Sequence, residues 1–281
     1  LRPRENPQAQ GWFMCDEGRF DFAYVNDKNR LQRPLFQGQP TDWEKLMPAL
    51  RSDLAAAGKR HGAGLAAVLS PMLTCEEAYL LAKAIKGFSA EAKLYLGWVP
   101  IVGQDDHYPQ DRRGRPLPPI KFTIRAEKCP NRRGVEEILK HFQGDVLSFD
   151  KMLDAAGAGE IQTLVLTAGY SPRLGPWVNE PQALALSKVP LLVVQDLFAS
   201  SVTASAKYVL PAATFAEKDG FFVNHANLAQ ALHWAVRPGQ SGRTDGQIFL
   251  DLLQRRGLLH AETLRQELAK EVPFFAGLGN G

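Results

Sequence analysis

The sequence has few cysteines, and this scarcity limits the class of protein it can be. Its 281 residues include three, Cys15, Cys75 and Cys129, an odd number at distant positions, so a disulfide framework is not expected. The metal and redox motifs CxxC and HExxH are missing. A metal site within the chain would therefore need residues that are distant in the sequence.

Other functional fingerprints are missing as well. No GxGxxG follows a predicted strand, and neither GxxxxGK[ST] nor GxSxG occurs, which leaves dinucleotide binding, P-loop chemistry and a hydrolase elbow unsupported. No apolar run approaches the ~18–20 residues that span a bilayer, so no direct membrane span is expected. The formal net charge of +3, with cations scattered among carboxylates, gives no sign of nucleic-acid binding.

The composition is that of a globular protein, and the N-terminal residues lead us to expect a fragment of a longer chain. The hydrophobic fraction of 45% and charged fraction of 22% are ordinary, and the length suits one large domain or two small ones. Residues 1–7 are polar, lack a starting Met and do not form a signal peptide. We therefore expect an intracellular fragment of a larger redox protein, unable to perform redox chemistry alone.

Helical and strand patterns alternate from Thr41 onward, after an irregular segment of 40 residues. Capping boxes, Thr41 with Glu44 and Thr74 with Glu77, open the first two helices. This order predicts an α/β fold with a doubly wound, mostly parallel sheet flanked by helices, and ligands at the strands' carboxyl ends. Helices are predicted over residues 41–58, 74–86, 134–142, 149–156, 181–187, 201–206, 247–256 and 261–270, strands over 64–69, 93–99, 163–167, 189–194 and 208–211, and a surface excursion over 103–134.

Two polar groups are candidate sites with plainer alternatives. Residues 105–107, Asp-Asp-His, could serve acid–base or metal chemistry, but their Pro-rich surroundings favour a solvated loop. Cys129 has cationic neighbours that could make it nucleophilic, with His141 as a distant partner, yet a structural thiol is favoured. Cys75 lies just inside a capping box and is interpreted as a packing residue.

The segment from 208 to 224 is more informative. A short strand ends at Pro211, and the loop predicted after it carries Glu217, Asp219 and Asn224 around Gly220. Alone, this pattern indicates only a polar loop beyond a strand end.

The residue order of two segments resembles that of the molybdopterin oxidoreductase superfamily. The first is residues 12–20, Trp-Phe-Met-Cys-Asp-Glu-Gly-Arg-Phe, and the second is residues 209–224. Within this superfamily the chain looks most similar to the G-type large subunit of NADH:quinone oxidoreductase, respiratory complex I. The shortness of the chain favours this branch. The family's Asn-x-Glu-Gly-Arg-x-Gln run is altered here, at residues 224–230, to Asn-His-Ala-Asn-Leu-Ala-Gln.

The resemblance assigns roles to particular residues. Cys15 would be the last thiolate ligand of a [4Fe–4S] cluster in the full-length parent, with the other three cysteines upstream of Leu1. No cofactor is expected in this fragment, and the altered run argues against molybdopterin. A vestigial pterin crevice would be contacted by Gly169, Asp196, Glu217, Asp219 and Asn224.

The resemblance also implies a domain plan and a function. Residues 1–40 would end a [4Fe–4S] subdomain, residues 41–245 would form the molybdopterin oxidoreductase-like domain, and residues 246–281 would add C-terminal helices. The expected role is a cofactor-free scaffold that docks other subunits of an electron-transfer complex, in the cytoplasm and peripheral to the inner membrane through them. The alternatives are part of a catalytic molybdenum or tungsten enzyme, such as a formate dehydrogenase, and a small-molecule binding module.

Overall fold

The secondary-structure elements alternate along the chain, as the sequence predicts. The computed structural model describes residues 1–9, 11–238 and 243–280. The strands are β1 Leu35–Phe36, β2 Gln39–Pro40, β3 Leu65–Leu69, β4 Lys93–Leu96, β5 Asp106–Tyr108, β6 Phe122–Ile124, β7 Thr163–Thr167, β8 Leu191–Asp196, β9 Tyr208–Pro211, β10 Gly220–Val223 and β11 Ala229–Leu232. The helices are α1 Asp16–Phe20, α2 Trp43–His61, α3 Cys75–Phe88, α4 Arg132–Gln143, α5 Phe149–Gly157, α6 Glu180–Leu186, α7 Ser201–Ser205, α8 Asp245–Leu252 and α9 Ala261–Glu271.

The main sheet has seven strands in the order β2-β1-β9-β8-β7-β3-β4. The pairs β9–β8, β8–β7, β7–β3 and β3–β4 are parallel, whereas β1 pairs antiparallel with both β2 and β9. All five residues of β3 and of β7 are buried, as expected for strands covered on both faces. The predicted α/β fold with a mostly parallel sheet is confirmed.

Alternate residues of each central strand face two separate cores. On one side, Leu65, Ala67 and Leu69 pack with apolar side chains of α2, α3, α4, α8 and α9. On the other side, Ala66 and Val68 pack with side chains of α5, α6 and α7. Because strand side chains alternate between faces, these continuous apolar strands can hold helices on both sides of the sheet.

One predicted capping box forms and the other does not. Thr74 Oγ1 accepts from the Glu77 backbone N–H at 3.2 Å, and Glu77 Oε2 accepts from the Thr74 N–H at 2.9 Å, which confirms the start of α3. The helix predicted to begin at Thr41 is α2, which instead begins after Asp42 and continues through Pro48 and beyond Gly58 to His61. Gly58 lies inside the helix, packed so close to the Phe88 carbonyl that a Cβ atom would not fit. The helix is capped instead at Gly62, which has a positive φ and whose N–H donates to the Gly58 carbonyl.

Two regions predicted as irregular form antiparallel hairpins. Within the excursion of residues 103–134, β5 pairs with β6. In the predicted loop, β10 pairs with β11. Two long-range hydrogen bonds hold this second hairpin: the Phe221 N–H donates to Glu76 Oε2 at 3.0 Å, and the Val223 N–H donates to Asn131 Oδ1 at 2.8 Å. Partners so distant in the sequence explain why local pattern missed the strands.

Helix lengths and compositions bear on membrane insertion. Among the described residues, no helix is both long enough and apolar enough to cross a bilayer.

Candidate functional site

A cavity of about 990 Å³ lies where several parallel strands end. Met72 follows β3, Gly169 and Ser171 follow β7, and Ala213 follows β9; all four line the cavity. The hairpin β10–β11 and part of the N-terminal segment complete its wall. The carboxyl ends of parallel strands are where α/β sheets bind ligands, and the volume suits a ligand larger than a simple ion. This cavity is the candidate functional site.

The charged groups of the cavity wall are largely neutralised within the protein. Arg132 contacts Glu127 at 2.9 Å, Arg125 contacts Asp105 at 2.9 Å, and Arg133 contacts Glu137 at 2.9 Å. An anionic ligand would therefore compete with existing ion pairs rather than meet free cations at these positions. The charged lining residues are Arg4, Glu5, Asp21, Arg125, Glu127, Lys128, Arg132, Arg133, Lys218 and Asp245.

A buried ion triad lies at Lys218, inside the cavity wall. Its ammonium Nζ is 2.7 Å from Asp245 Oδ2 and 3.0 Å from Glu77 Oε2, and all three side chains are almost fully buried. Burial alone would lower the pKa of Lys218, but the attraction of Asp245 and Glu77 raises it above its usual value. Burial raises the pKa of Glu77, against the opposing effect of Lys218. Lys218, in the loop before β10, therefore contacts Glu77 of α3 and Asp245 of α8.

Gly169 and Asp196 contact each other, but only Gly169 lines the cavity. Asp196 Oδ1 accepts from the backbone N–H groups of Gly169 at 3.3 Å and Leu197 at 2.7 Å. Its Oδ2 accepts from Trp177 Nε1–H at 3.1 Å. Burial raises the pKa of Asp196 to about 6, although these hydrogen bonds oppose the rise. In this arrangement the carboxylate organises the strand ends.

Glu217 and Asp219 lie outside the cavity wall. Both Glu217 carboxylate oxygens face Arg30, with Nη1 3.0 Å from Oε1 and Nη2 2.6 Å from Oε2, and both residues are buried. Asp219 Oδ1 accepts from the Trp234 N–H at 2.8 Å. Sequence reasoning missed Arg30, because nothing local links it to a residue so far along the chain. These contacts give both carboxylates internal partners.

Asn224 and Cys15 both line the cavity. Asn224 Oδ1 accepts from the backbone N–H groups of Ala226 at 2.9 Å and Leu228 at 3.0 Å, which shapes the turn between β10 and β11. Cys15 is half-buried, and its Sγ accepts from the Gly18 N–H at 3.4 Å. The structure therefore brings Cys15, Gly169 and Asn224 to one cavity and leaves Asp196, Glu217 and Asp219 outside its lining.

The other sequence candidates have local partners. His107 Nδ1 lies 2.9 Å from Thr123 Oγ1, and Asp106 Oδ2 accepts from Tyr108 Oη–H at 2.8 Å, so the 105–107 cluster is tied into the hairpin β5–β6. Cys75 is fully buried and its Sγ–H donates to Asn131 Oδ1 at 3.3 Å, which confirms it as a packing residue.

The donor groups of this cavity do not fit a molybdenum ion or a complete [4Fe–4S] cluster. Cys129 also lines the cavity, where burial first, and Glu127 beside it, raise the pKa of its thiol well above the usual value. The Ser171 hydroxyl already donates to Asp21. A [4Fe–4S] cluster needs four thiolates, and Cys15 supplies one. Among the described residues, no group of three or more His, Cys, Asp or Glu side chains is arranged to hold a metal ion.

Fold and cavity together define a doubly wound α/β domain with a crevice at the carboxyl ends of its strands. Residues 149–255, from α5 past α8, match the family model described as molybdopterin oxidoreductase. This match supports a molybdopterin oxidoreductase domain in the chain.

Two staphylococcal proteins are similar to this chain over part of their length. A Staphylococcus haemolyticus (strain JCSC1435) protein named "Putative formate dehydrogenase" is 33% identical over 132 residues, which cover 46% of this chain. A Staphylococcus aureus (strain USA300) protein of the same name is 31% identical over 132 residues. The match spans 13% of the length of each relative.

Proposed function

We propose that the chain is a cofactor-free scaffold and docking domain of an iron–sulfur electron-transfer subunit. The subunit would be similar to the G-type large subunit of NADH:quinone oxidoreductase. Its partners would be other subunits of that complex, and it would lie in the cytoplasm, peripheral to the inner membrane through them. Electron transfer in the parent would proceed through clusters, without acid–base catalysis by this domain.

The observation that carries this proposal is the chemistry of the cavity wall. Burial raises the pKa of the Cys129 thiol, and the Ser171 hydroxyl donates to Asp21. No group of three or more His, Cys, Asp or Glu side chains in the described part of the chain is arranged to hold a metal ion. Outside the cavity lining, the buried carboxylates Asp196 and Glu217 accept hydrogen bonds from internal donors. A pterin nucleotide would have to break these contacts to use either carboxylate.

Cys15 would bind the iron–sulfur cluster of the intact protein. In the intact protein it would be one of four thiolate ligands of a [4Fe–4S] cluster, with the other three supplied by residues outside this chain. Its position on the cavity wall would place that cluster beside the crevice. Arg19, in the short helix α1 that follows Cys15, would then lie near the cluster, where a cation favours the reduced state.

The test is metal and cofactor analysis of the intact protein that contains this chain. We expect iron and sulfide without stoichiometric molybdenum, tungsten or extractable pterin. Cys15→Ala should remove about one cluster per chain, while Cys75→Ala, at a buried packing thiol, should leave the iron content unchanged. Stoichiometric molybdenum or tungsten with pterin would overturn the scaffold proposal.

A second candidate is part of a catalytic molybdenum or tungsten pterin oxidoreductase, such as a formate dehydrogenase. The name of the staphylococcal relatives and the cavity of about 990 Å³ favour it. It predicts bound pterin in the intact protein, with the metal ligand supplied by a residue outside the described cavity wall. The same cofactor analysis therefore separates the two candidates.

A further inference from the structure

The loop that joins β5 to β6, residues 109–121, combines exposure, positive charge and apolar side chains. We call it the basic tip. Residues 112–121 are all exposed, and Leu117 and Ile120 keep 46% and 43% of their surface in solvent. The basic tip holds four cations, Arg112, Arg113, Arg115 and Lys121, and a single carboxylate, Asp111. Much of the excess positive charge of the chain is concentrated here.

Most of this charge is not neutralised within the protein. Asp111 contacts Arg115 at 2.8 Å. Arg112, Arg113 and Lys121 have no ion-pair partner among the described residues. In contrast, the arginines of the cavity wall at 125, 132 and 133 each contact a carboxylate. The basic tip therefore differs from the cavity wall, because most of its cations have no carboxylate partner among the described residues.

The basic tip is held in one shape by its own hydrogen bonds. Asp111 Oδ1 accepts from the backbone N–H groups of Arg113 at 2.8 Å and Arg115 at 3.0 Å. The Leu117 N–H donates to the Pro109 carbonyl at 2.8 Å. At the base, Phe122 stacks on Tyr108 and on Phe13 of the N-terminal segment, with ring centroids 5.0 and 4.4 Å apart. A loop ordered before binding loses less conformational entropy when a partner docks.

We propose that the basic tip is a docking element for a partner protein whose surface is acidic around an apolar pocket. Arginine is enriched at protein interfaces, and complementary charge would set orientation and association rate. The absence of any aromatic residue from 109 to 121 gives bases nothing to stack on, which disfavours nucleic acid. The inference deepens the proposed role, since it rests on the partner subunits expected there.

The test is site-specific photo-cross-linking in the intact complex purified from its own cells. A photoreactive amino acid replaces Leu117, and the control replaces Leu184 on α6, which is 64% exposed. We expect the Leu117 position to cross-link to an acid-rich surface of one partner subunit, and the Leu184 position to give no such product. Mass spectrometry of the cross-linked peptides identifies the contacted residues.

Charge reversal within the basic tip is the second part of the test. Arg112→Glu combined with Arg113→Glu should reduce the cross-link yield by about tenfold or more, because like charges would then face each other. Arg60→Glu combined with Arg256→Glu makes the same change in net charge elsewhere and should leave the yield unchanged. Thermal melting of both variants checks that each remains folded.

Other outcomes overturn the docking proposal. Cross-links to nucleic acid, to lipid or to a surface without acidic residues would do so, as would a missing product or insensitivity to charge reversal. The proposed scaffold role fails on a different result, the presence of molybdenum or tungsten with pterin. An acidic partner could still be found in that case, so the two proposals can fail separately.

Discussion

Replacing Lys218 by Met tests whether the buried triad stabilises the domain through charge compensation. The substitution keeps a long, unbranched side chain but removes the ammonium that lies 2.7 Å from Asp245 and 3.0 Å from Glu77. Both carboxylates then remain buried without their cation. Because breaking a buried ion pair leaves an uncompensated charge, we expect the free energy of unfolding to fall by about 3–5 kcal/mol.

Lys83→Met is the matched control. Lys83 also contacts two carboxylates, Glu267 at 2.9 Å and Glu271 at 2.6 Å, but its side chain is 29% exposed. Solvent screens this pair, so the expected loss is about 1 kcal/mol or less. Urea unfolding of both variants and of the wild type at neutral pH measures the difference.

The pH dependence provides an independent check. A carboxyl group whose pKa is higher in the folded than in the unfolded chain binds its proton more tightly when folded, so stability falls as the pH rises toward the folded-state pKa. Burial already raises the pKa of Glu77, and loss of the Lys218 cation should raise it further. The deficit of Lys218→Met should therefore shrink as the pH falls toward about 4, the unfolded-state pKa of Glu, and be smallest below it. Equal losses in both variants, or a deficit unchanged by acid, would refute the reasoning.

Two further changes test the strand ends and the packing of α4. Since burial raises the pKa of Asp196 to about 6, the wild type should lose about 3 kcal/mol between the unfolded-state pKa near 4 and pH 6 from this group. Asp196→Asn should abolish that part of the pH dependence in urea unfolding; an unchanged profile would contradict the assignment. Gly134→Ala would press a Cβ atom against Asn131 Oδ1 and Cys75 Sγ, and should destabilise by about 1–3 kcal/mol. Gly157→Ala, with open space around it, should cost nothing measurable by thermal melting.

Local sequence signals predicted the parallel part of the sheet well. The apolar run at β3 is read directly from residues 65–69, because a strand covered on both faces must be apolar throughout. The Thr74–Glu77 box located α3 because capping depends on residues three apart. The same signal failed at Thr41, because the helix begins after Asp42, which makes no side-chain cap hydrogen bond.

The candidate site was less predictable, since its chemistry depends on distant partners. The sequence pointed to Glu217 as a crevice residue, yet Arg30, 187 positions away, takes both its oxygens. Asp196 was placed correctly at a strand end, but its partner Trp177 Nε1 comes from the segment before α6, which no local pattern links to it. Side-chain direction at a strand end is fixed by tertiary contacts, which no local pattern records.

The short strands β1 and β2 limit where the chain can be truncated. Leu35 and Phe36 pair with Val209 and Tyr208, so the N-terminal segment covers the backbone N–H and C=O groups along one margin of β9. A chain trimmed at Thr41 would expose that margin, together with the apolar side chains of a buried strand. Unprotected strand margins recruit other chains and aggregate. The segment before Thr41 therefore covers an edge of the sheet that would otherwise be open to other chains.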